Sequence, residues 1–149
     1  MTVVSSMVSP ANPHFERAVR DAFAKHELMV RLGAFLVAVG PGYAEIELPR
    51  SPAVSWEQGR FATAAVAALG ESAGACAALA MMPAGSEAST VDYKINFIRS
   101  ARGDLLRASG RVVRAGQTLT VVRVVVRALG SDAVSDCALL VATVLRVNS

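Results

Sequence analysis

The sequence predicts an α+β protein in which an antiparallel sheet wraps around one long central helix. Residues 61–83 predict the helix, because they are apolar, rich in Ala and Gly, and carry a single charge, Glu71, near the middle. A nearly all-apolar helix is normally buried on most of its circumference. Four strand-like segments follow with tight turns and no further helix, a pattern that favours antiparallel pairing. We therefore expect the sheet to cover the helix.

The chain is long enough to bury its own core as one domain, residues 1–149. Hydrophobic residues make up 53% and charged residues 18%, which excludes a disordered chain. We expect a flexible tail over 1–12 and an amphipathic cover helix over 13–28, with Asn12 as its N-cap and a proline at its first position. The central helix is predicted over 60–82.

Alternation of apolar and polar residues predicts six strands. The first two flank the turn Gly40-Pro41-Gly42. In the fifth, even-numbered positions from Thr120 to Ala128 form one face, and Arg123 and Arg127 lie on the other. The predicted strands are 34–39, 43–48, 90–99, 105–114, 118–128 and 133–147. Apolar residues among the arginines of the outer face predict self-association; they are Val113, Val121 and Val125.

Positive charge is concentrated in the second half of the chain. Seven arginines and one acid, Asp104, lie between Arg99 and Arg127, and the net charge is +3. Such a surface invites an anionic partner, either nucleic acid or a phosphorylated small molecule. Aromatic residues are only 5% and no nucleic-acid-binding motif is recognisable, so we expect no nucleic-acid partner.

The cysteines, the N-terminus and the apolar segment 61–82 do not indicate a metalloprotein, a secreted protein or a membrane protein. Cys76 and Cys137 have no metal-ligand spacing and lie in apolar stretches, which predicts buried thiols in a reducing, cytoplasmic compartment. The N-terminus lacks the basic and apolar regions of a secretory signal. Residues 61–82 are long enough to span a membrane, but they are Ala-rich and a central Glu costs about 2.5–3.5 kcal/mol there. We expect a buried helix.

Glu71 is the first candidate functional residue. A lone carboxylate in an apolar helix is costly unless a partner satisfies it or the protein uses it. Its i±3 and i±4 neighbours are small, which lets a ligand or another backbone approach; they are Ala67, Ala68, Gly74 and Ala75. The structural alternative is a carboxylate hydrogen-bonded to Gln58, to Thr90 or to a second subunit.

Two stretches of sequence are similar to a known family. Residues 68–73 read Ala-Leu-Gly-Glu-Ser-Ala, and residues 90–97 read Thr-Val-Asp-Tyr-Lys-Ile-Asn-Phe, continuing through Arg99-Ser100-Ala101-Arg102-Gly103 to 110–119. They resemble the hotdog-fold acyl-CoA thioesterases, specifically the PaaI-type group related to phenylacetic acid degradation. The likeness covers about residues 34–147. It implies a hotdog fold, hydrolysis of a coenzyme A thioester to a free acid and CoA, and no further cofactor.

The resemblance also implies roles for individual residues. Glu71 matches the catalytic carboxylate, as general base or nucleophile. The family enters its helix through His-Gly-Gly or His-Ala-Gly; here Ala62, Thr63 and Ala64 take these positions, and Thr63 matches the glycine whose N–H polarises the carbonyl. Gln58 and Thr90 match pocket-lining positions. Arginines suited to the CoA phosphates are Arg60, Arg99 and Arg102.

The spacing of Thr63 and Glu71 predicts an oligomer. Eight residues span about 12 Å along a helix, too far for both groups to meet on one carbonyl. The family forms its site between two subunits, so we expect a homodimer or homotetramer. One alternative is a hotdog protein that binds acyl-CoA without turnover. A dehydratase or hydratase is disfavoured, because both histidines, His14 and His26, lie in the N-terminal segment.

Overall fold

The protein is described by a computed structural model that covers residues 9–57 and 59–148. It contains three helices, a short 3-10 turn at Pro52–Val54 and eight strands within that part of the chain. The helices are α1 (Phe15–Ala24), α2 (Glu27–Leu32) and α3 (Thr63–Leu79). The strands are β1 (Phe35–Gly40), β2 (Tyr43–Pro49), β3 (Ser55–Glu57), β4 (Arg60–Phe61), β5 (Ser86–Phe97), β6 (Leu105–Ala115), β7 (Leu119–Leu129) and β8 (Val134–Asn148).

Six of the strands form one antiparallel sheet in the order β1-β2-β6-β7-β8-β5. The helix α3 packs against one face of this sheet and contacts five of its strands. The predicted fold class is confirmed, and all six predicted strands are present with ends shifted by a few residues. Strands β3 and β4 form a separate two-stranded ladder directly before α3.

Small residues let α3 approach the sheet closely. A Cβ on Gly74 would lie 2.9 Å from Cγ2 of Val122, and a Cβ on Gly110 of β6 would lie 2.7 Å from the carbonyl oxygen of Ala73. Neither position has room for a side chain. The Ala and Gly content of α3 is therefore a packing requirement of the helix–sheet contact, which fixes where the rest of the helix lies.

The core lies between α3 and the sheet. Strand β7 shows the predicted alternation: its buried residues are Thr120, Val122, Val124, Val126 and Ala128. Arg123, on the opposite face, is exposed. No helix within the described residues is long and apolar enough to cross a membrane.

The predicted cover helix over 13–28 is two helices. The side chain of Asn12 accepts the N–H of His14 at 2.9 Å, which holds a turn there, and His14 rather than Asn12 is the N-cap of α1. His26 then interrupts the helix, because its Nδ1 accepts the N–H of Met29 at 3.4 Å and caps α2. Of the predicted tail, residues 1–8 lie outside the described part.

The central helix is shorter than the predicted 60–82. Hydrogen bonds hold the chain extended before α3: the N–H of Phe61 donates to Ala101 O at 2.9 Å, and the N–H of Ala62 donates to Val54 O at 2.8 Å. After Leu79 the chain continues as a tight turn, in which Met82 N–H donates three residues back at 3.0 Å.

Candidate active site

The carboxylate of Glu71 is held by a side chain from the neighbouring strand. Thr90 of β5 donates its hydroxyl proton from Oγ1 to Oε1 of Glu71, with 2.6 Å between the oxygens. Glu71 is half-buried. The hydrogen bond leaves the second carboxylate oxygen, Oε2, without a protein partner in the described part of the chain. A half-buried carboxylate oriented in this way is suited to accept a proton or to attack an electrophile.

A β-bulge brings Thr90 to the helix side of β5. Thr90 pairs with Val144, but Asp92 pairs with Thr143, so one extra residue is present at Val91. Beyond the bulge Tyr93 pairs with Ala142, which is buried like Val144. Thr90 therefore shares a face with Tyr93. Without the bulge, simple alternation would place Val91 rather than Thr90 on the face of Tyr93.

The surface around Glu71 and Thr90 is open. A shallow trough there is lined by Glu71 and by four consecutive residues of β5, Thr90 to Tyr93. Ala67, Ala68 and Ala75 are half-buried, as a low-sided face around Glu71 requires. Gly74 does not belong to that face, because it packs against Val122 and Val124 of the sheet.

The N-terminus of α3 carries hydrogen-bond donors without acceptors. Ala62 is the N-cap, and no side chain of the described residues caps the helix. The amides of Ala65 and Val66 both donate to the carbonyl of Ala62, at 3.0 and 3.2 Å. In residues 9–57 and 59–148, the amides of Thr63 and Ala64 have no such acceptor, and both residues are exposed. Free N–H groups and the positive end of the helix dipole favour a negatively charged oxygen there.

A cleft of about 240 Å³ lies beside this helix end. Thr63 and Val66 contribute from α3, and two predicted phosphate ligands, Arg60 and Arg99, line it as well. Arg60 forms an ion pair within the chain, because its guanidinium lies 3.1 Å from the carboxylate of Glu57. Trp56 and Phe97 also line the cleft and are 71% and 46% exposed.

Two other predicted substrate-binding residues, Arg102 and Gln58, are not among the described lining residues of the cleft. Arg102 pairs through its backbone with Arg60, but its side chain is exposed and does not line the cleft. Gln58 lies outside the described residues. No group of three or more His, Cys, Asp or Glu in the described chain is arranged to hold a metal ion.

One chain does not bring Glu71 and Thr63 together. Both lie on α3, eight residues apart, which corresponds to about 12 Å along the helix axis. The carboxylate faces β5, whereas the free amides lie at the beginning of the helix beside the cleft. The structure therefore presents two half-sites on the same helix.

The profile of the thioesterase superfamily matches residues 58–135, a range that includes α3 with both half-sites and continues into β8. The chain belongs to the thioesterase superfamily. A search of curated proteins found no match.

Three solved structures share the fold of this superfamily member. A thioesterase family protein from Silicibacter pomeroyi is 29% identical; the match covers 91% of this chain and 99% of that one, with a TM-score of 0.87. The PaaI protein of E. coli, from the phenylacetic acid degradation operon, is 16% identical over 93% and 97% of the chains, with a TM-score of 0.79. A thioesterase from Haemophilus influenzae is 19% identical over 85% and 87%, with a TM-score of 0.76. The recognition of a hotdog-fold thioesterase from the sequence is thus confirmed.

The two cysteines of this thioesterase-superfamily protein are buried, as predicted. Burial raises the pKa of the Cys76 thiol to about 12, with a smaller contribution from the charge of Glu71. Burial likewise raises the pKa of Cys137 to about 11, and its thiol donates to Val126 O at 3.2 Å. Both thiols are protonated at neutral pH, so neither is an activated nucleophile.

The sequence did not predict the aromatic walls of the cleft or the buried, unpartnered hydroxyl of Ser72. Trp56 and Phe97 are forty-one residues apart in the chain, and only the fold brings them to the same cleft as Thr63. Among the described residues, the Oγ atom of Ser72 is the one buried side-chain oxygen or nitrogen without a hydrogen-bond partner. Its position directly after Glu71 was the available signal.

Proposed function

We propose that the protein hydrolyses acyl-CoA thioesters to a free acid and coenzyme A, with Glu71 as general base or nucleophile. The observation that carries this proposal is the half-buried carboxylate of Glu71. Glu71 lies on the central helix of a thioesterase-superfamily fold, and a hydrogen bond from Thr90 orients its carboxylate. A thioester needs little help for its leaving group, because a thiolate departs readily at neutral pH. The site must supply an activated water or a nucleophile, and a positive dipole for the carbonyl oxygen.

Each half-site supports one of these requirements. As a base, Glu71 takes a proton from water while the water oxygen attacks the carbonyl carbon; the C–S bond then breaks and CoA leaves as its thiolate. As a nucleophile, Glu71 attacks the carbonyl carbon, the C–S bond breaks with release of the CoA thiolate, and water hydrolyses the resulting mixed anhydride to the free acid and the Glu71 carboxylate. In both routes negative charge develops on the carbonyl oxygen, and the N–H of Thr63 is the proposed donor to it, flanked by Ala62 and Ala64.

The proposed site needs two copies of the chain, as a homodimer or homotetramer. About 12 Å separates the half-sites of one helix, so Glu71 of one copy would act with Thr63 of another. Strand β5 lies at one end of the sheet, where its free edge can pair with a second copy. Apolar side chains exposed along this strand and directly after it support such pairing; they are Val91, Tyr93, Phe97 and Ile98.

The cleft beside α3 is suited to the CoA part of the substrate. Arg60 and Arg99 line it, and Arg102 lies exposed on the adjoining loop. Guanidinium groups bind phosphate oxygens with charge-assisted hydrogen bonds. We assign these arginines to the phosphates of CoA, and Gln58 to the lining of the pocket by its family position. Coenzyme A enters only as part of the substrate, and no other cofactor is proposed.

A second candidate function is binding of acyl-CoA without turnover. It is favoured by the start of α3, where Ala62 and Thr63 replace the His and Gly of the family. Thr63 is exposed and carries a side chain where the family has glycine, beside the N–H that is the proposed donor in catalysis.

One assay separates the two functions. Purified protein is mixed with a panel of acyl- and aryl-CoA esters and a chromogenic thiol reagent, and binding is measured in parallel by calorimetry. We expect release of free CoA with saturation kinetics. Saturable binding without CoA release across the panel would favour the second function and contradict the first.

Thr90→Val tests the role of the hydrogen bond to Glu71. Valine keeps the shape of threonine but removes the donor, so the carboxylate loses its fixed orientation. Because a hydrogen bond to a charged group contributes about 1.5–3 kcal/mol, we expect kcat to fall by roughly tenfold or more, with a smaller change in KM. Thr90→Ser keeps the hydroxyl and should stay near the wild-type rate. Equal rates for the valine and serine variants would contradict this role.

A further inference from the structure

A second cavity is lined by residues close to Glu71 and Thr90 in the chain. It has a volume of about 470 Å³ and lies between α1, α3 and the beginning of β5. Half of its fourteen lining residues have apolar side chains, among them Ala18, Phe23, Cys76, Leu79 and Ala88. The polar and charged lining residues are Asp21, Lys25, His26, Ser72, Ser86 and Glu87. We call it the α1–α3 cavity. Its volume is typical of a small-molecule site.

The α1–α3 cavity adjoins the candidate catalytic carboxylate along two elements. On α3, Ser72 is the residue after Glu71, and Ala75 lies one turn further along. On β5, Ala88 lines the cavity two residues before Thr90, on the same face of the strand. The cavity is therefore the neighbouring space for an acyl group whose carbonyl carbon is at Glu71.

Ser72 gives the cavity a specific chemical feature. The residue is only 1% exposed, and its hydroxyl has no hydrogen-bond partner among the described residues. A buried hydroxyl without a partner is costly, and a ligand oxygen that bonds to it removes the cost. Cys76, one turn further on, contributes a neutral thiol and no charge to the same wall.

We propose that the α1–α3 cavity receives the acyl group of the thioester and that Ser72 selects acyl groups carrying a hydroxyl or keto oxygen near the carbonyl. This inference rests on the proposed thioesterase function, because the direction of the acyl group is set by the position of Glu71. The apolar lining accepts the hydrocarbon part of the acyl group. Because the side chains of consecutive helix residues diverge, Ser72 lines the cavity whereas Glu71 does not, and the selected oxygen lies where the acyl group enters the cavity.

The substitution Ala18→Leu, which narrows the cavity, tests whether the cavity receives the acyl group. This substitution adds a branched side chain to the α1 wall, whereas Ala24→Leu makes the same change elsewhere on the helix. We expect Ala18→Leu to lower kcat/KM for octanoyl-CoA about tenfold or more relative to acetyl-CoA. Ala24→Leu should leave that ratio at the wild-type value. Equal ratios in the two variants would overturn the assignment of the cavity.

The selectivity is tested with Ser72→Ala and the matched pair hexanoyl-CoA and 3-hydroxyhexanoyl-CoA. One neutral hydrogen bond corresponds to a factor of about five, so we expect the preference for the hydroxylated ester to fall about fivefold. Ser131→Ala, in an exposed turn, is the control. Ser72→Ala should unfold at the wild-type temperature or above it, because the hydroxyl has no partner in the protein. An unchanged preference would overturn the role of Ser72.

Binding measurements separate this inference from the proposed function. In a Glu71→Gln background, calorimetry with hexanoyl-CoA and 3-hydroxyhexanoyl-CoA measures how tightly the esters bind in the absence of turnover. We expect Ala18→Leu and Ser72→Ala to weaken binding of the hydroxylated ester there, as they do in catalysis. If the native protein binds these esters but hydrolyses none, the thioesterase function fails while the cavity assignment stands. If neither variant alters binding, the cavity assignment fails by itself.

Discussion

Glu71→Gln is expected to lower kcat for acyl-CoA hydrolysis by a factor of about 10²–10⁴, the usual contribution of a positioned acid or base. The amide keeps the size of the carboxylate, and its oxygen can still accept the hydrogen bond that Thr90 donates to Glu71. The variant therefore loses the basic and nucleophilic oxygen but keeps the local packing. Free CoA released from a good substrate under saturating conditions is the quantity to measure.

The control for this variant is Glu27→Gln. Glu27 lies exposed on α2 and forms an ion pair with Arg31 at 3.6 Å, so its neutralisation should leave turnover unchanged. Thermal unfolding of both variants should match that of the native protein. Hydrolysis that continues at the native rate in a folded Glu71→Gln protein would remove Glu71 from the mechanism.

Thr63→Pro is expected to lower kcat by about 10²–10³, the effect of removing one donor to the developing oxyanion. Proline deletes the N–H of the first residue of α3 without breaking the helix, because this position accepts proline well. Ala62, the preceding residue, already has φ −62° and ψ 138°, the extended conformation that a residue before proline adopts. The substitution thus removes a proton donor and leaves the backbone path intact.

Thr63→Ala provides the comparison, because it keeps the N–H and removes the side chain. We expect its turnover to be at or above the native value, since a smaller side chain opens the approach to the amide. Circular dichroism should show the same helix content in both variants. If Thr63→Pro were as active as Thr63→Ala, the amide of Thr63 would not be the donor to the carbonyl oxygen.

The main architecture followed from the sequence because its signals are local and periodic. The alternation of β7 and the Ala/Gly content of α3 each specify one face, and the structure buries those faces. Gly74 explains the composition of α3 in physical terms, because a side chain there would collide with Val122. The orientation of α3 relative to the sheet is therefore specified by residue size as well as by hydrophobicity.

Other features depended on contacts that periodicity does not report. The side chain of His26 caps α2 and divides the predicted N-terminal helix. The bulge at Val91 reverses the alternation of β5 and turns Thr90 towards Glu71. The cleft at the start of α3 combines Trp56 with Phe97, which are distant in the chain. Each of these features depends on the folded register and on contacts between distant residues, which periodicity alone does not specify.

The central claim is that Glu71 of one copy acts with Thr63 of another, and complementation of two inactive variants tests it most directly. Glu71→Gln and Thr63→Pro chains carrying different affinity tags are produced together, and mixed oligomers are isolated by two successive purifications. In a mixed dimer with two-fold symmetry, one of the two sites combines native Glu71 with native Thr63, so about half of the native turnover should return. Mixed oligomers that are as inactive as either parent would contradict a site shared between subunits.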